Sequence, residues 1–264
     1  MATLDKLEEL PWNADDGGPP RRTRPRRRRR GFFSTLVGII GELMITAGVL
    51  LGLFVVWQVW WTDVEAHSHQ AEVLQEWDGR EDVVVAPDQE AEHRTDPPPV
   101  PEVGAEGDLI GTMRIPRLGQ DYRVSIAHGV GMSDVLNQGY IGHYPDTQLP
   151  GEVGNFATAA HRLSYGAPYR EIEQVVVGDS IIVETTEAYL VYEVVDTEVV
   201  LPSQVEVIAP VPNEPGVAPT ERMITLTTCH PLFSAAERWI TYGEFQYWID
   251  KNDGKPAELV EEGR

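Results

Sequence analysis

The sequence of 264 residues contains a single cysteine, Cys229. One thiol cannot form an intramolecular disulfide, so a disulfide-stapled fold is excluded and thiol chemistry becomes the leading explanation for this residue. The chain also lacks a Gly-x-Ser-x-Gly elbow, a His-Glu-x-x-His pair and a phosphate-binding glycine loop. These absences remove the serine hydrolase, zincin and P-loop classes at the level of motifs.

Basic residues are also scarce, because the chain has 21 Lys and Arg against 42 Asp and Glu, for a formal net charge of −21. The imbalance is not uniform along the sequence. Residues 1–62 hold nine basic and six acidic side chains, so the negative charge lies in residues 63–264. A region this acidic argues against an anionic nucleic acid as its partner.

Charged residues are nearly absent from residues 32–62, where Glu42 is the only ionisable side chain. An apolar run of this length can span a bilayer, for which about 20 residues suffice. Eight arginines in residues 21–30 precede it. The positive-inside rule then keeps residues 1–31 in the cytoplasm and places everything after the span outside the cell membrane. A cleaved signal peptide would have a shorter apolar core, and a nucleic-acid-binding arginine block would not adjoin an apolar span.

Glu42 is the unusual residue of this span, because a charge in hydrocarbon costs at least about 2–3 kcal/mol. Either it is protonated, or it pairs within an oligomer, or the true span starts after it, and the sequence leaves these alternatives open. Trp57, Trp60 and Trp61 lie where an aromatic belt at the outer interface is expected.

Composition divides the rest of the chain into three parts. Residues 63–107 are acidic and contain a proline cluster, which predicts an extracellular stalk with a helical first part at 64–77 and an extended, disordered remainder. This stalk either holds the next domain away from the membrane or serves only as a tether. Residues 108–250 are long enough for one catalytic domain with its own core, and residues 251–264 are expected to form a frayed polar tail.

Short runs rich in Val, Ile, Thr and aromatic residues recur through this domain, separated by Gly, Pro and Asp turns. They predict seven strands, at 109–115, 122–127, 155–161, 180–185, 189–200, 223–229 and 239–249. Only 132–138 and 168–174 favour short helices. The pattern indicates a mostly β fold, and closing it as a barrel would remove exposed sheet edges.

Cys229 ends the predicted strand 223–229. Side chains alternate along a strand, so Ile224 and Leu226 share the face that is expected to be core, whereas Cys229 lies on the other face. The next strand begins near Arg238 after an eight-residue loop. If the two strands pair as antiparallel neighbours, Arg238 returns beside Cys229.

A free thiol, with a pKa near about 8.5, is a modest nucleophile until a neighbouring base or cation raises its thiolate fraction. His161, which ends the predicted strand 155–161, can exchange a proton near neutral pH. Arg238 can hold a substrate carbonyl or stabilise an oxyanion. Simpler interpretations remain open at this point: Cys229 fits an inert small hydrophobe, Arg238 fits a solvated surface residue, and six other histidines compete with His161.

Three separated segments resemble the catalytic motifs of sortases, most closely the class E type of high-GC Gram-positive bacteria. They are TLTTC at 225–229, AERWI at 236–240 and GNFATAAHR at 154–162. The family's nucleophile, histidine and arginine then fall on Cys229, His161 and Arg238. IP at 115–116 and GHYP at 142–145 match supporting motifs, and the resemblance covers roughly residues 108–250.

The resemblance implies a closed eight-stranded sortase-type β-barrel with short helices, which here would follow one N-terminal transmembrane helix at 32–62. It implies cleavage of a sorting signal between threonine and glycine through a cysteine thioester, and transfer of the acyl group to an amine of the peptidoglycan precursor. Class E members favour a leucine-alanine-x-threonine-glycine signal over the proline-containing one. The expected partners are secreted proteins with a C-terminal sorting signal, the precursor amine and the membrane.

Other functions are compatible with the same residues. One is a cysteine peptidase that hydrolyses its acyl-enzyme, and another is a non-catalytic, wall-associated scaffold. A pilin-polymerising role is also open, although no extra lid or second anchor is recognisable. No cofactor and no metal are predicted, because Cys229 and the scattered histidines lack zinc-ligand spacing and no calcium-binding loop is recognisable.

Overall fold

The computed structural model describes residues 31–260, which form one long helix followed by eight strands. Helix α1 is Phe32–Asp78, and the strands are β1 Leu109–Arg114, β2 Val124–His128, β3 Ile141–His143, β4 Gly154–Ala159, β5 Ser180–Glu184, β6 Ala188–Val200, β7 Arg222–His230 and β8 Glu237–Asp250. Short 3₁₀ helices occur at Pro116–Leu118, Leu136–Gln138, Ile172–Gln174, Val205–Ile208 and Ala257–Leu259. Residues 1–30 of the expected cytoplasmic segment and residues 261–264 of the expected tail lie outside the described residues.

The eight strands close into a barrel in the order β1-β2-β3-β4-β7-β8-β6-β5. Neighbouring strands are antiparallel except for two parallel pairs, β2 with β3 and β4 with β7. Closure leaves each barrel strand paired on both sides, which satisfies the backbone groups that an open edge would expose. The predicted class, a mostly β, closed eight-stranded barrel with short helices, is confirmed.

The side chains of strand β7 alternate between the apolar core of the barrel and its other face. Ile224 and Leu226 are buried in the central apolar core. Thr225 and Thr227 point the other way and are also buried. Thr225 donates from its hydroxyl to Oδ1 of Asn155 on β4 at 2.8 Å, so polar side chains of this face are satisfied by the neighbouring strand. Both faces of β7 are therefore packed as far as Thr228, and the strand becomes partly exposed at Cys229.

Helix α1 is long and apolar enough to cross a membrane by length and composition. The expected span at 32–62 covers the first two thirds of it, and the helix continues to Asp78, as the pattern at 64–77 predicts. Residues 31–51 and residues 52–260 belong to two different units, and the barrel lies in the second.

Residues 63–107 pack against the barrel, which corrects the expectation of an extended, disordered stalk. Trp77 is only 1% exposed. Farther along, the backbone of Arg94 exchanges two hydrogen bonds of 2.9 Å with Trp248, and its guanidinium lies 4.0 Å from the Trp248 ring centroid. The Trp248 indole N–H also donates to the carbonyl of Asp96 at 2.9 Å. Although the segment is acidic overall, a few of its side chains, such as Trp77 and Arg94, are buried or bonded and hold it in place.

Residues 251–260 also pack against the barrel, so the expectation of a frayed tail is wrong over this range. Lys251 is 2% exposed, and its Nζ lies 3.0 Å from Oε1 of the buried Glu184. Glu258 accepts a hydrogen bond of 3.2 Å from the Tyr247 hydroxyl. A buried carboxylate needs cationic partners, and the polar tail supplies one of them.

Candidate active site

Cys229 and Arg238 lie directly opposite each other on the antiparallel strands β7 and β8. The register is continuous along the two strands, from Met223 opposite Glu244 to the last pair beside the connecting loop. Cys229 is half-buried at the exposed end of β7. The antiparallel pairing of these two strands, on which the sequence argument depended, is thus present. It brings a thiol and a guanidinium to adjacent positions.

His161 follows β4, the parallel neighbour of β7 on its other side. The register pairs Ala159 with Thr227, and the backbone N–H of Ala160 donates to the Thr227 carbonyl at 3.2 Å. His161 and Cys229 each lie two residues beyond that pair in the same direction. The three residues singled out in the sequence therefore come to the same end of β4, β7 and β8.

The guanidinium of Arg238 is held by the loop that joins β7 to β8. Its Nη1 donates to the carbonyl of Ala235 at 3.0 Å and to the carbonyl of Glu237 at 2.8 Å. Both hydrogens of Nη1 are used in these bonds. A substrate carbonyl would therefore bind at Nη2 or Nε of a cation that the loop has already oriented.

The imidazole of His161 is held from two sides. Its Nε2 lies 2.9 Å from Oδ1 of Asn137, and its ring stacks on Tyr165 with 5.3 Å between ring centroids. Burial lowers the pKa of His161 below its ordinary value. The ring is then neutral at pH 7, and when Nε2–H donates to Asn137, Nδ1 is the nitrogen that accepts a proton.

The competing histidines of the barrel are engaged elsewhere. His143 is buried, with Nδ1 3.2 Å from Nδ1 of His128, and burial together with that neighbour lowers the pKa of His143 to about 4. His230 follows Cys229 directly, but consecutive side chains of a strand point to opposite faces. The His230 ring packs against Trp239, with 5.7 Å between centroids.

Arg162 is a site residue that sequence reasoning did not identify. Although it directly follows His161, its side chain is buried and reaches across to β7, where Nη1 donates to the Cys229 carbonyl at 3.3 Å and to Nδ1 of His230 at 2.9 Å. Its Nη2 pairs with Glu173 at 2.7 Å. The only signal in the sequence is its place beside the histidine. The structure shows that Arg162 ties the end of the histidine strand to the nucleophile strand.

A thiol, an imidazole and a guanidinium at one rim of a barrel are the groups that acyl transfer through a thioester requires. The thiol supplies the nucleophile, the neutral imidazole moves protons, and the guanidinium stabilises negative charge on oxygen. Across residues 31–260, no group of three or more His, Cys, Asp or Glu side chains is arranged to hold a metal ion.

A comparison with protein families matches residues 113–246 to the Sortase domain. Among curated proteins, Sortase SrtE1 of Streptomyces coelicolor is 36% identical over 245 residues, which are 90% of this chain, and the chain spans 65% of that relative's length. Sortase SrtE2 of the same organism is 36% identical over 252 residues, which cover 89% of this chain and 93% of the relative.

Solved structures give the same result for the fold. The SrtA sortase from Actinomyces oris is 46% identical with a TM-score of 0.62, and the match covers 65% of this chain and 98% of that one. Sortase E1 from Streptomyces coelicolor, solved with a tripeptide in the active site, is 39% identical with a TM-score of 0.55. That match covers 58% of this chain and 98% of the other.

Proposed function

This chain belongs to the sortase family of cysteine transpeptidases, and from that premise we propose that it is a membrane-anchored enzyme which attaches secreted proteins to the cell wall. The observation that supports this most directly is the register that pairs Cys229 with Arg238. The position of His161 beyond the neighbouring parallel strand adds the proton-transferring group. Of the relatives named above, SrtE1 and SrtE2 indicate an enzyme like those of class E.

In the proposed reaction the Cys229 thiolate attacks the threonine carbonyl carbon of the sorting signal. The carbonyl electron pair moves onto oxygen, where Arg238 stabilises the charge. The intermediate then collapses to a thioester as the carbon–nitrogen bond breaks, and His161 gives a proton to the departing glycine amine. An incoming amine attacks the thioester, loses a proton to His161 and releases the Cys229 thiolate.

The neutral state of His161 fits both halves of this cycle. Burial lowers the pKa of the ring, so the resting ring is neutral near pH 7. The proton that it later donates must therefore come from a reacting group in the site. The Cys229 thiol is the donor in the first half, and the attacking amine is the donor in the second. The bond to Asn137 leaves Nδ1 as the nitrogen for both transfers.

The proposed substrate is a signal of the leucine-alanine-x-threonine-glycine type, with the proline-containing signal as the less favoured form. This preference is what the resemblance to class E sortases implies, and the likeness to SrtE1 and SrtE2 supports membership of that class. A panel of peptides that differ only at the second position tests it. We expect a higher kcat/KM for alanine than for proline, and the opposite order would contradict the proposed specificity.

The proposed location is the cell membrane, crossed once, with residues 1–31 in the cytoplasm and the barrel outside. The eight arginines at 21–30 and the apolar length of α1 support it. Secreted proteins that carry a C-terminal sorting signal and peptidoglycan precursors with a free amine meet on that side of the membrane. They are the proposed acyl donor and acceptor.

Replacement of the nucleophile tests the enzymatic assignment. In the full-length chain in detergent, Cys229→Ala should lower signal-peptide cleavage by about a thousandfold or more, because the covalent route is lost. Mass spectrometry of the wild-type reaction with added triglycine should give the transpeptidated peptide as the main product.

Each contrary outcome identifies a different function. A wild-type enzyme that yields only hydrolysed peptide with abundant triglycine is a cysteine peptidase. A wild-type chain that neither cleaves the peptide nor reacts at Cys229 with a thiol-reactive substrate analogue is a scaffold. Full activity in Cys229→Ala would overturn the assignment of the nucleophile.

A further inference from the structure

The C-terminal segment of α1, residues 63–78, contacts the loop that follows His161. Asp63 accepts two hydrogen bonds from this loop, one at Oδ1 from the backbone N–H of Gly166 at 3.1 Å and one at Oδ2 from Nη2 of Arg170 at 2.6 Å. A carboxylate that binds a backbone N–H and a guanidinium at once fixes the position of the chain between them.

The same segment contacts a second loop, between β2 and β3. The side-chain amide of Gln70 donates to the carbonyl of Gly139 in this loop at 3.1 Å, and it accepts from the backbone N–H of Ser125 on β2 at 3.1 Å. On the preceding residue, Nε2 of His69 lies 2.9 Å from the hydroxyl of Tyr140. Two consecutive helix residues therefore hold this loop through its backbone and its side chain.

Ala66 lies between the two loops and is only 4% exposed. A Cβ at Gly139 would lie 3.2 Å from the Ala66 methyl group, and a Cβ at Gly166 would lie 3.3 Å from it. Both glycines have positive φ, +84° and +76°. Each glycine thus combines a left-handed turn with a close approach to the helix, which a larger residue would obstruct.

These two loops carry the side chains that hold His161. Asn137, which bonds Nε2, is two residues before Gly139, and Tyr165, which stacks on the ring, directly precedes Gly166. A cavity of about 460 Å³ is lined by α1 residues together with Asn137, Gln138 and Tyr165. Helix, loops and imidazole thus form one contiguous set of contacts.

We propose that the C-terminal segment of α1 is a positioning element of the active site, in which Asp63 and Gln70 act as positioning residues that orient His161 through Tyr165 and Asn137. The inference rests on the proposed role of His161 in proton transfer. Catalytic groups must be held within about 0.5 Å of the productive geometry, and loops achieve this only when other elements support them. Here the support comes from residues 63–78, which belong to the region that composition predicts to be a stalk.

The test compares variants of the full-length chain in detergent. Asp63→Ala/Gln70→Ala removes the hydrogen bonds that these two side chains make to the two loops. Gln75→Ala is the matched control, since Gln75 is an exposed residue of the same helix segment. We expect the double variant to lose kcat for transpeptidation by about tenfold to a hundredfold. KM for the signal peptide should stay within twofold of wild type. The control should match wild type in both constants.

A conservative variant separates positioning from folding. Asp63→Asn keeps an oxygen that can accept from Gly166 but loses the charge that pairs with Arg170, so its kcat should lie between those of Asp63→Ala and wild type. The pair is partly exposed, with 41% of the Arg170 side chain and 20% of the Asp63 side chain accessible, so its loss should cost little stability and the variant should fold. The ring-proton NMR signals of His161, assigned with His161→Gln, should shift in Asp63→Ala and Gln70→Ala but not in Gln75→Ala.

Two results would overturn the inference. One is a double variant with the kcat of Gln75→Ala, and the other is a loss of activity with unshifted His161 signals. If the double variant unfolds, Asp63→Asn provides the test instead. A wild-type kcat in Asp63→Asn together with unshifted His161 signals would then contradict the proposed positioning role. An inactive wild-type chain would instead contradict the proposed function, so the two failures are distinguishable.

Discussion

The guanidinium of Arg162 is buried beside the backbone carbonyl of Cys229, so its removal should disturb the nucleophile directly. We predict that Arg162→Met lowers kcat/KM by about a hundredfold, because a small displacement of the nucleophile is costly. The free energy of unfolding should fall by about 2–3 kcal/mol, the usual effect of losing hydrogen bonds to a charged group. Peptide-cleavage kinetics and denaturant unfolding measure the two effects.

Two further arginine variants complete this test. Arg162→Lys retains the charge without the planar fork, so it should restore part of the activity. Arg117→Met is the control, because Arg117 is half-exposed and pairs with Asp179 at the surface. Equal losses in Arg162→Met and Arg117→Met would show that Arg162 has no particular connection with the nucleophile.

The burial of His161 gives a pH prediction. Its pKa lies below the ordinary 6.5, so the neutral ring persists as the pH falls through 6.5 and becomes protonated only at lower pH. The acid limb of kcat/KM should therefore lie below pH 6.5. Tyr165→Ala uncovers the ring, which should raise the pKa of His161 and move that limb to higher pH. An unmoved limb in this variant would show that Tyr165 does not shield the ring.

Local sequence was sufficient to single out Cys229, His161 and Arg238, because each lies within two residues of a strand end and within a short motif. It did not reveal Arg162, Asn137 or Tyr165. Asn137 and Tyr165 lie in loops whose only recognisable feature is turn chemistry, and Arg162 acts across strands. Their contacts depend on the closure of the barrel, which no short sequence pattern encodes.

At the scale of elements, the segment after β8 should be needed for stability. Ending the chain at Asp250 removes Lys251, whose Nζ pairs with the buried Glu184 at 3.0 Å. We expect the free energy of unfolding to fall by about 2–4 kcal/mol, since a buried ion pair loses one partner. Denaturant unfolding measures this. Ending the chain at Val260 is the control and should leave stability near that of wild type.

The same truncation should change the response to acid. Burial raises the pKa of Glu184, but Arg123, Lys251 and Arg114 together hold it below its usual value. The folded pKa is therefore depressed, and the stabilisation is present above about pH 4.5 and lost as the pH falls through the folded pKa. Without Lys251 that loss should begin at higher pH. An unchanged acid-unfolding midpoint would contradict the pairing.

Seven of the eight strands could be predicted from their β-branched and aromatic runs, and the structure confirms them with small changes at the ends. The missed strand is β3, Ile141–His143, which is too short to show alternation. Strand β8 begins at Glu237, two residues before the predicted start, because pairing with β7 extends it through polar residues. The predicted helix at 132–138 is only a 3₁₀ turn at Leu136–Gln138.

At the scale of the whole molecule, residues 108–250 should not suffice for a stable domain. A chain limited to them lacks the buried Trp77, and it lacks the backbone and cation–π contacts of Arg94 with Trp248. Loss of one buried tryptophan alone costs about 3–5 kcal/mol, which is a large part of the stability of an ordinary domain. We expect this chain to melt far below the full-length protein in circular dichroism. Equal melting temperatures would show that the preceding segment is dispensable for folding.

The position of Asp63 in α1 brings the end of the proposed span close to the active site. Trp61 closes the apolar run, and Asp63, two residues later, is bonded to Gly166 in the loop after His161. With a helical rise of 1.5 Å per residue, about 3 Å separates these two positions along the axis. The loop after His161 is therefore bonded to a residue that directly follows the proposed span. A change at the end of the proposed span is then only a few contacts from the catalytic histidine, through Asp63, Gly166 and Tyr165.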